Sequence, residues 1–119
     1  MAENYITKQE EKGSINISED VINVMVSAAV TDDEGVAGLG SSTTPELAEL
    51  FGRKNPGKGV KIRFIDGKII IDVLITVNYG GSITEIATRV QNNVSREVES
   101  ITGMECTVNV HVTGISFEK

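Results

Sequence analysis

Val60-Lys61-Ile62-Arg63-Phe64-Ile65-Asp66-Gly67-Lys68-Ile69-Ile70-Ile71-Asp72-Val73-Leu74-Ile75-Thr76-Val77-Asn78 is the stretch that decides the fold. Two β-branched runs flank Asp66-Gly67, a dipeptide suited to the two positive φ angles of a type I′ hairpin turn. A two-residue turn fixes the register: Ile65 faces Lys68, Phe64 faces Ile69, Ile62 faces Ile71 and Val60 faces Val73. The last three pairs are apolar and share one face, which Ile75 and Val77 continue. On the other face Lys61 meets Asp72, a complementary pair. A slip of one residue spoils both matches, so the register is strongly specified.

Elements follow on either side of this hairpin. Downstream, Ser82 to Thr102 reads as the longest helix, with Ile83, Ile86, Ala87, Val90, Val94, Val98 and Ile101 on one stripe and Glu85–Arg89 as an i,i+4 pair. Gly103 stops it, and Met104 to Val112 alternates as a half-buried strand. Upstream, Val36 to Leu39 is a short strand. Before it lies a helix that Ser18 caps and that carries Val21, Ile22, Met25, Ala28 and Ala29 inward. Ser14 to Ile17 is a further short strand. Between Gly40 and Gly59 the pattern breaks into a loop insertion, with a short helix expected from Pro45.

The order is β-α-β-(short α)-β-β-α-β. Each main helix has one apolar stripe, so both cover the same face of a mixed sheet in a two-layer α+β sandwich. One domain is expected over residues 14–119, preceded by a polar, flexible arm over 1–13. Two strand–helix–Gly–strand units, near 14–39 and 73–112, hint at a duplication.

Composition narrows the function. Eleven basic against seventeen acidic residues give the 119-residue chain a net charge of -6. Such a field repels nucleic acid and anionic lipid. Fourteen Ile and fourteen Val against four Leu favour strands over a helical bundle. No apolar run is long enough for a membrane-spanning helix, and the first residues carry no secretion signal. Cys106 is the single cysteine, which suits a reducing cytoplasm.

Chemistry-bearing residues are few. Cys106 and His111 fall on opposite faces of the last strand and cannot share a metal or act as nucleophile and base. Gly80-Gly81-Ser82 precedes a helix, but Ser82-Ile83-Thr84-Glu85 is a capping box that already takes the free amides. Asp32-Asp33-Glu34 reads as a solvated turn in which an aspartate bonds its own backbone. No catalytic set, cofactor site or metal site is expected. Ile65, Ile70 and Leu74 are apolar on a sheet face without a helix, which either the 40–59 insertion or the N-terminal arm covers or a partner uses. Arg53, Lys54 and Lys58, the only concentrated positive charge, are either a solvated loop or a second candidate partner-binding site.

Gly13-Ser14-Ile15-Asn16-Ile17-Ser18 leading into Asp20-Val21-Ile22, then Gly35-Val36, Val77-Asn78-Tyr79-Gly80, Ile86-Ala87, Val90-Gln91, Val98-Glu99, Thr102-Gly103 and Val108-Asn109-Val110-His111-Val112 follow in an order that resembles the alkaline shock protein 23 family, also called the general stress protein 24 family, of Gram-positive bacteria. The resemblance spans about Gly13 to Phe117. It implies a non-enzymatic cytoplasmic protein of stress response and cell-envelope homeostasis that acts through protein–protein contacts. Some members reach the membrane through an anchored partner, and others are linked to control of fatty-acid synthesis. The apolar sheet face also admits a homo-oligomer. The alternative is a small RNA-binding module, against which stand the acidity, the scarcity of aromatics and the lack of a clamping G-x-x-G loop.

Overall fold

The hairpin forms as its sequence dictates. In the computed structural model, which describes residues 5–40 and 59–117, strands β4 (Val60–Ile65) and β5 (Lys68–Asn78) pair antiparallel with Phe64 opposite Ile69, Ile62 opposite Ile71 and Lys61 opposite Asp72. Asp66 and Gly67 take φ of 51° and 76°, the two left-handed positions of the type I′ turn. The short helix expected from Pro45 lies outside the described residues.

Strand β5 is the axis of the sheet. Along one edge β6 (Cys106–Ser116) runs parallel to it, from Ile69↔Cys106 to Asn78↔Ser116. The other edge is shared end to end. Strand β4 takes Lys68 to Val73, and β3 (Val36–Leu39), also antiparallel, takes Ile75 to Val77. Leu74 falls in the gap. Its N–H donates to the Gly59 carbonyl at 2.8 Å, and its carbonyl accepts from the Gly40 N–H at 2.7 Å. The 40–59 insertion therefore interrupts what is otherwise one strand line, leaving and rejoining it at Leu74.

Helices α1 (Glu19–Thr31) and α2 (Ile83–Thr102) both lie over the same face of this mixed sheet, giving the two-layer α+β arrangement. Ser18 caps α1 by accepting from the Val21 N–H, Ser82 caps α2 by accepting from the Glu85 N–H, and Gly103 ends α2 at φ 71°. The core joins Ile22, Val26 and Val30 of α1 and Ile86, Val90, Val94 and Val98 of α2 to the inward residues of the sheet.

The stripes differ from the expected ones at particular residues. On α1 the buried row is Ile22, Val26 and Val30, while Val21 stays 53% exposed and Ala28 is exposed. Residues 21–31 are almost all apolar or small, so periodicity alone could not choose the inward row. On α2 an i,i+4 row from Ile86 ends at buried Thr102, and Ile83 and Ile101 remain exposed at its flanks. Thr102 is satisfied there, donating to the Val98 carbonyl and accepting from the Met104 N–H.

The N-terminal segment corrects the expected arm. Strand β1 (Tyr5–Glu10) pairs antiparallel with β2 (Gly13–Ser18), from Glu10↔Gly13 to Tyr5↔Ser18. Thr7 Oγ1 donates to Asn16 Oδ1 across this ribbon at 2.7 Å. A two-stranded ribbon open to water on much of its surface needs few apolar residues, so a polar composition does not betray it. Because β2 pairs only with β1, the unit β2–α1–β3 is not equivalent to the parallel crossover β5–α2–β6. The hint of duplication has no counterpart in the fold.

Candidate interaction surface

The sheet face away from the helices is not the bare apolar patch that alternation suggests. Leu74, expected there as a contact residue, is 1% exposed and belongs to the interior. Ile70 is half-buried, and Ile65 beside the hairpin turn is 44% exposed. The three do not form one accessible surface. Arg53, Lys54 and Lys58 lie outside the described residues.

A closed polar cluster fills the middle of this face. Asp72 is buried, and its carboxylate takes three partners from neighbouring strands. Arg63 of β4 donates to Oδ2 at 2.9 Å, Asn109 Nδ2 of β6 donates to Oδ1 at 3.1 Å, and His111 Nε2 lies 3.1 Å from Oδ1. The expected cross-strand partner Lys61 is opposite Asp72, yet the ion pair is made diagonally by Arg63. His111, on the strand face opposite Cys106, is half-buried in this cluster. A buried carboxylate needs such compensation, because desolvation without partners is costly.

Other chemistry-bearing residues are occupied structurally. Cys106 faces the core, where burial, with Glu99 nearby, pushes its thiol up to about 11, so it is a poor nucleophile. Asp33 accepts from the Gly35 N–H at 2.8 Å, the backbone bond expected of this turn. It also receives both Arg89 Nε and a terminal Arg89 nitrogen at 2.9 Å. Arg89 thus forks onto Asp33 rather than onto its helical neighbour Glu85. This fork, assisted by Gly35 and opposed by partial burial, holds the Asp33 carboxyl below its ordinary range. Among the described residues no group of three or more His, Cys, Asp or Glu converges to hold a metal.

A cluster of exposed apolar side chains lies at the end of the sheet, where β5 turns into α2. The ladder pairs Asn78 with Ser116, and Tyr79 N–H donates to the Ser116 carbonyl at 2.8 Å. This brings the next residues, Tyr79 and Phe117, together with ring centroids 4.9 Å apart and a tilt of 35°. They are 71% and 72% exposed, with Ile83 and Ile115 at 41% and 43% beside a groove of about 320 Å³. The turn is pinned by Asn78, whose N–H and side-chain amide donate to the Gly35 and Glu34 carbonyls, both at 2.8 Å. The sequence reading missed this pair. Its signal was the parallel register of β5 and β6, which no short turn fixes.

Comparison with known proteins places this geometry. The model of the alkaline shock protein 23 family, with cell envelope-related function, matches residues 7–117. The uncharacterized protein YqhY of Bacillus subtilis is 32% identical over 99% of this chain and 91% of its own length. YloU of the same organism is 34% identical over 87% of the chain and 88% of its own length. A protein of Streptococcus pyogenes, Spy1614, is 33% identical over the same shares of both chains. Among solved structures, a triply substituted MamM CTD aligns with a TM-score of 0.54 at 15% identity, covering 80% of this chain and 93% of its own. The copper form of the MamM CTD gives 0.50 at 18% identity, covering 83% and 97%. At these identities the likeness is one of fold.

Proposed function

The chain belongs to the alkaline shock protein 23 family, whose function is cell envelope-related, and on that premise we propose that it is a non-enzymatic envelope-stress protein that works by docking a protein partner. The observation that carries this reading is the stacked, exposed Tyr79–Phe117 pair with Ile83 and Ile115 around it. Aromatic residues that folding leaves on the surface are the side chains that most often dominate binding energy at interfaces. An apolar patch of this kind is uncommon on a chain with no use for it. The partner belongs in the cytoplasm, and one that is itself membrane-anchored brings this acidic chain to the envelope. Among the described residues no helix is long and apolar enough to cross a membrane. A link to membrane lipid synthesis runs through the same surface, by choice of partner.

Affinity capture from a cross-linked native lysate tests the proposal, comparing the unaltered chain with Tyr79→Ala/Phe117→Ala. Truncating two interface aromatics weakens binding by about thirtyfold or more, on the order of 2 kcal/mol. The expected result is loss of a specific captured protein while the melting temperature stays within a few degrees. Capture unchanged by the double variant, or salt-sensitive retention of total RNA on a filter, overturns it.

A further inference from the structure

Among the described residues, strand β6 leaves one long edge of the sheet without a partner strand. Proteins usually blunt such edges with charge, proline or a covering element. From Cys106 to Ser116, however, the strand contains no Asp, Glu, Lys, Arg or Pro. Helix α2 covers only its beginning. Glu99 Oε2 accepts from the Cys106 N–H at 3.0 Å, and Gln91 Nε2 donates to the Val108 carbonyl at 3.1 Å. These two bonds also show which residues turn their backbone groups outward. The N–H and C=O of a strand residue point to the same edge, and successive residues alternate. Cys106 and Val108 point away from β5, so Val110 and Val112 do as well. Among the described residues, no group bonds their outward N–H and C=O.

We propose that this edge pairs with the β6 edge of a second copy of the chain, antiparallel about a two-fold axis at His111. Val110 of one copy then lies opposite Val112 of the other, and the reverse, each pair exchanging two backbone hydrogen bonds. The register follows because Glu99 and Gln91 occupy outward groups at the start of the strand and the register shift between Val112 and Gly114 breaks the regular alternation beyond Val112, which leaves 110 and 112 as the regular outward pair with both groups open. A second copy fits better than a foreign strand for two reasons. Two residues are a short anchor for a peptide, whereas a two-fold partner makes every contact twice. The neutral strip is also where two chains of net charge -6 approach with least repulsion. The surface is distinct from the Tyr79–Phe117 end.

Sedimentation velocity from low micromolar to near-millimolar protein, at low and high salt, together with residue-resolved amide exchange by NMR, tests this. The expected result is a monomer–dimer equilibrium that salt strengthens by screening. The amides of Val110 and Val112 exchange fast when dilute and slow as the dimer forms. Val110→Pro removes an N–H that the chain's own sheet does not use, a place where an edge strand tolerates proline. It weakens association by about tenfold or more. Should that variant fail to fold, exchange on the unaltered chain decides alone. A monomer at every concentration overturns the proposal. So does a dimer whose Val110 and Val112 amides remain fast, or one abolished by Tyr79→Ala/Phe117→Ala.

Discussion

Removing either partner of the Arg63–Asp72 pair should destabilise the chain unequally, and the burial of the two side chains says which loss is larger. The Asp72 side chain is 3% exposed, whereas that of Arg63 is 39% exposed. Arg63→Met leaves the carboxylate in the interior with only Asn109 and His111 beside it. Breaking a buried pair so that one charge stays behind costs about 3–5 kcal/mol. Asp72→Asn keeps the shape, and the remaining guanidinium can turn towards water, so about 1–3 kcal/mol is lost. Arg63 is also an incomplete partner, because it binds Asp72 through one terminal nitrogen while its buried Nε has no hydrogen-bond partner.

Urea unfolding followed by circular dichroism separates the two variants. With an m-value on the order of 1.5 kcal/mol/M, a gap of about 2 kcal/mol moves the midpoints apart by roughly 1 M. Arg63→Met/Asp72→Leu should lose less than the sum of the two separate losses, since the stranded charge is gone. Should Arg63→Met prove as mild as Asp72→Asn, or milder, Asp72 is not held as a buried charge and the reasoning fails.

Leu74→Ala should cost about 2–5 kcal/mol in a thermal or urea melt, as befits a core residue; a change below about 0.5 kcal/mol would return it to the surface. Gly59→Ala should cost about 1–2 kcal/mol, because its φ of 75° is left-handed and a Cβ would meet the Gly40 carbonyl oxygen at 3.0 Å. Asp33, held below its ordinary value, stabilises the fold fully above the unfolded value of about 3.9 and loses that contribution as pH falls through the lowered one. Asp33→Asn should therefore flatten the acid limb of the stability–pH curve, and an unchanged limb counts against the Arg89 fork. Chelator treatment should leave the melting temperature unchanged; a drop of several degrees reversed by calcium or zinc would point to Asp32-Asp33-Glu34.

What could be read before the structure was what local chemistry determines. Asp66-Gly67 fixes a register because a two-residue turn leaves no slack, and Ser18, Ser82 and Gly103 mark helix ends because orphan backbone groups need those side chains or that φ. The parallel pairing of β5 with β6 has no such device, since a twenty-residue helix separates the strands. Everything that depends on it was therefore hidden, including His111 beside Asp72 and Tyr79 against Phe117. The inward row of α1 was hidden for the opposite reason, an excess of apolar residues. Leu74 is buried although alternation along β5 puts it on the face away from the helices, so alternation alone does not reveal its burial.

The break between β3 and β4 bears on how one fold can serve different contacts. Both ends of the insertion are tied to the same residue, Gly40 through the Leu74 carbonyl and Gly59 through its N–H. The strand line is thereby closed independently of what lies between. Closing a longer segment there costs only about 0.6 kcal/mol for each doubling of its length. The aromatic end is built on the opposite half of β5, beyond Ile75, and the neutral edge belongs to β6. Two chains joined along that edge keep both aromatic ends available, so pairing and partner docking do not compete for the same residues. The dimer then offers two docking sites, and a partner that presents two copies of its motif gains avidity without any new contact.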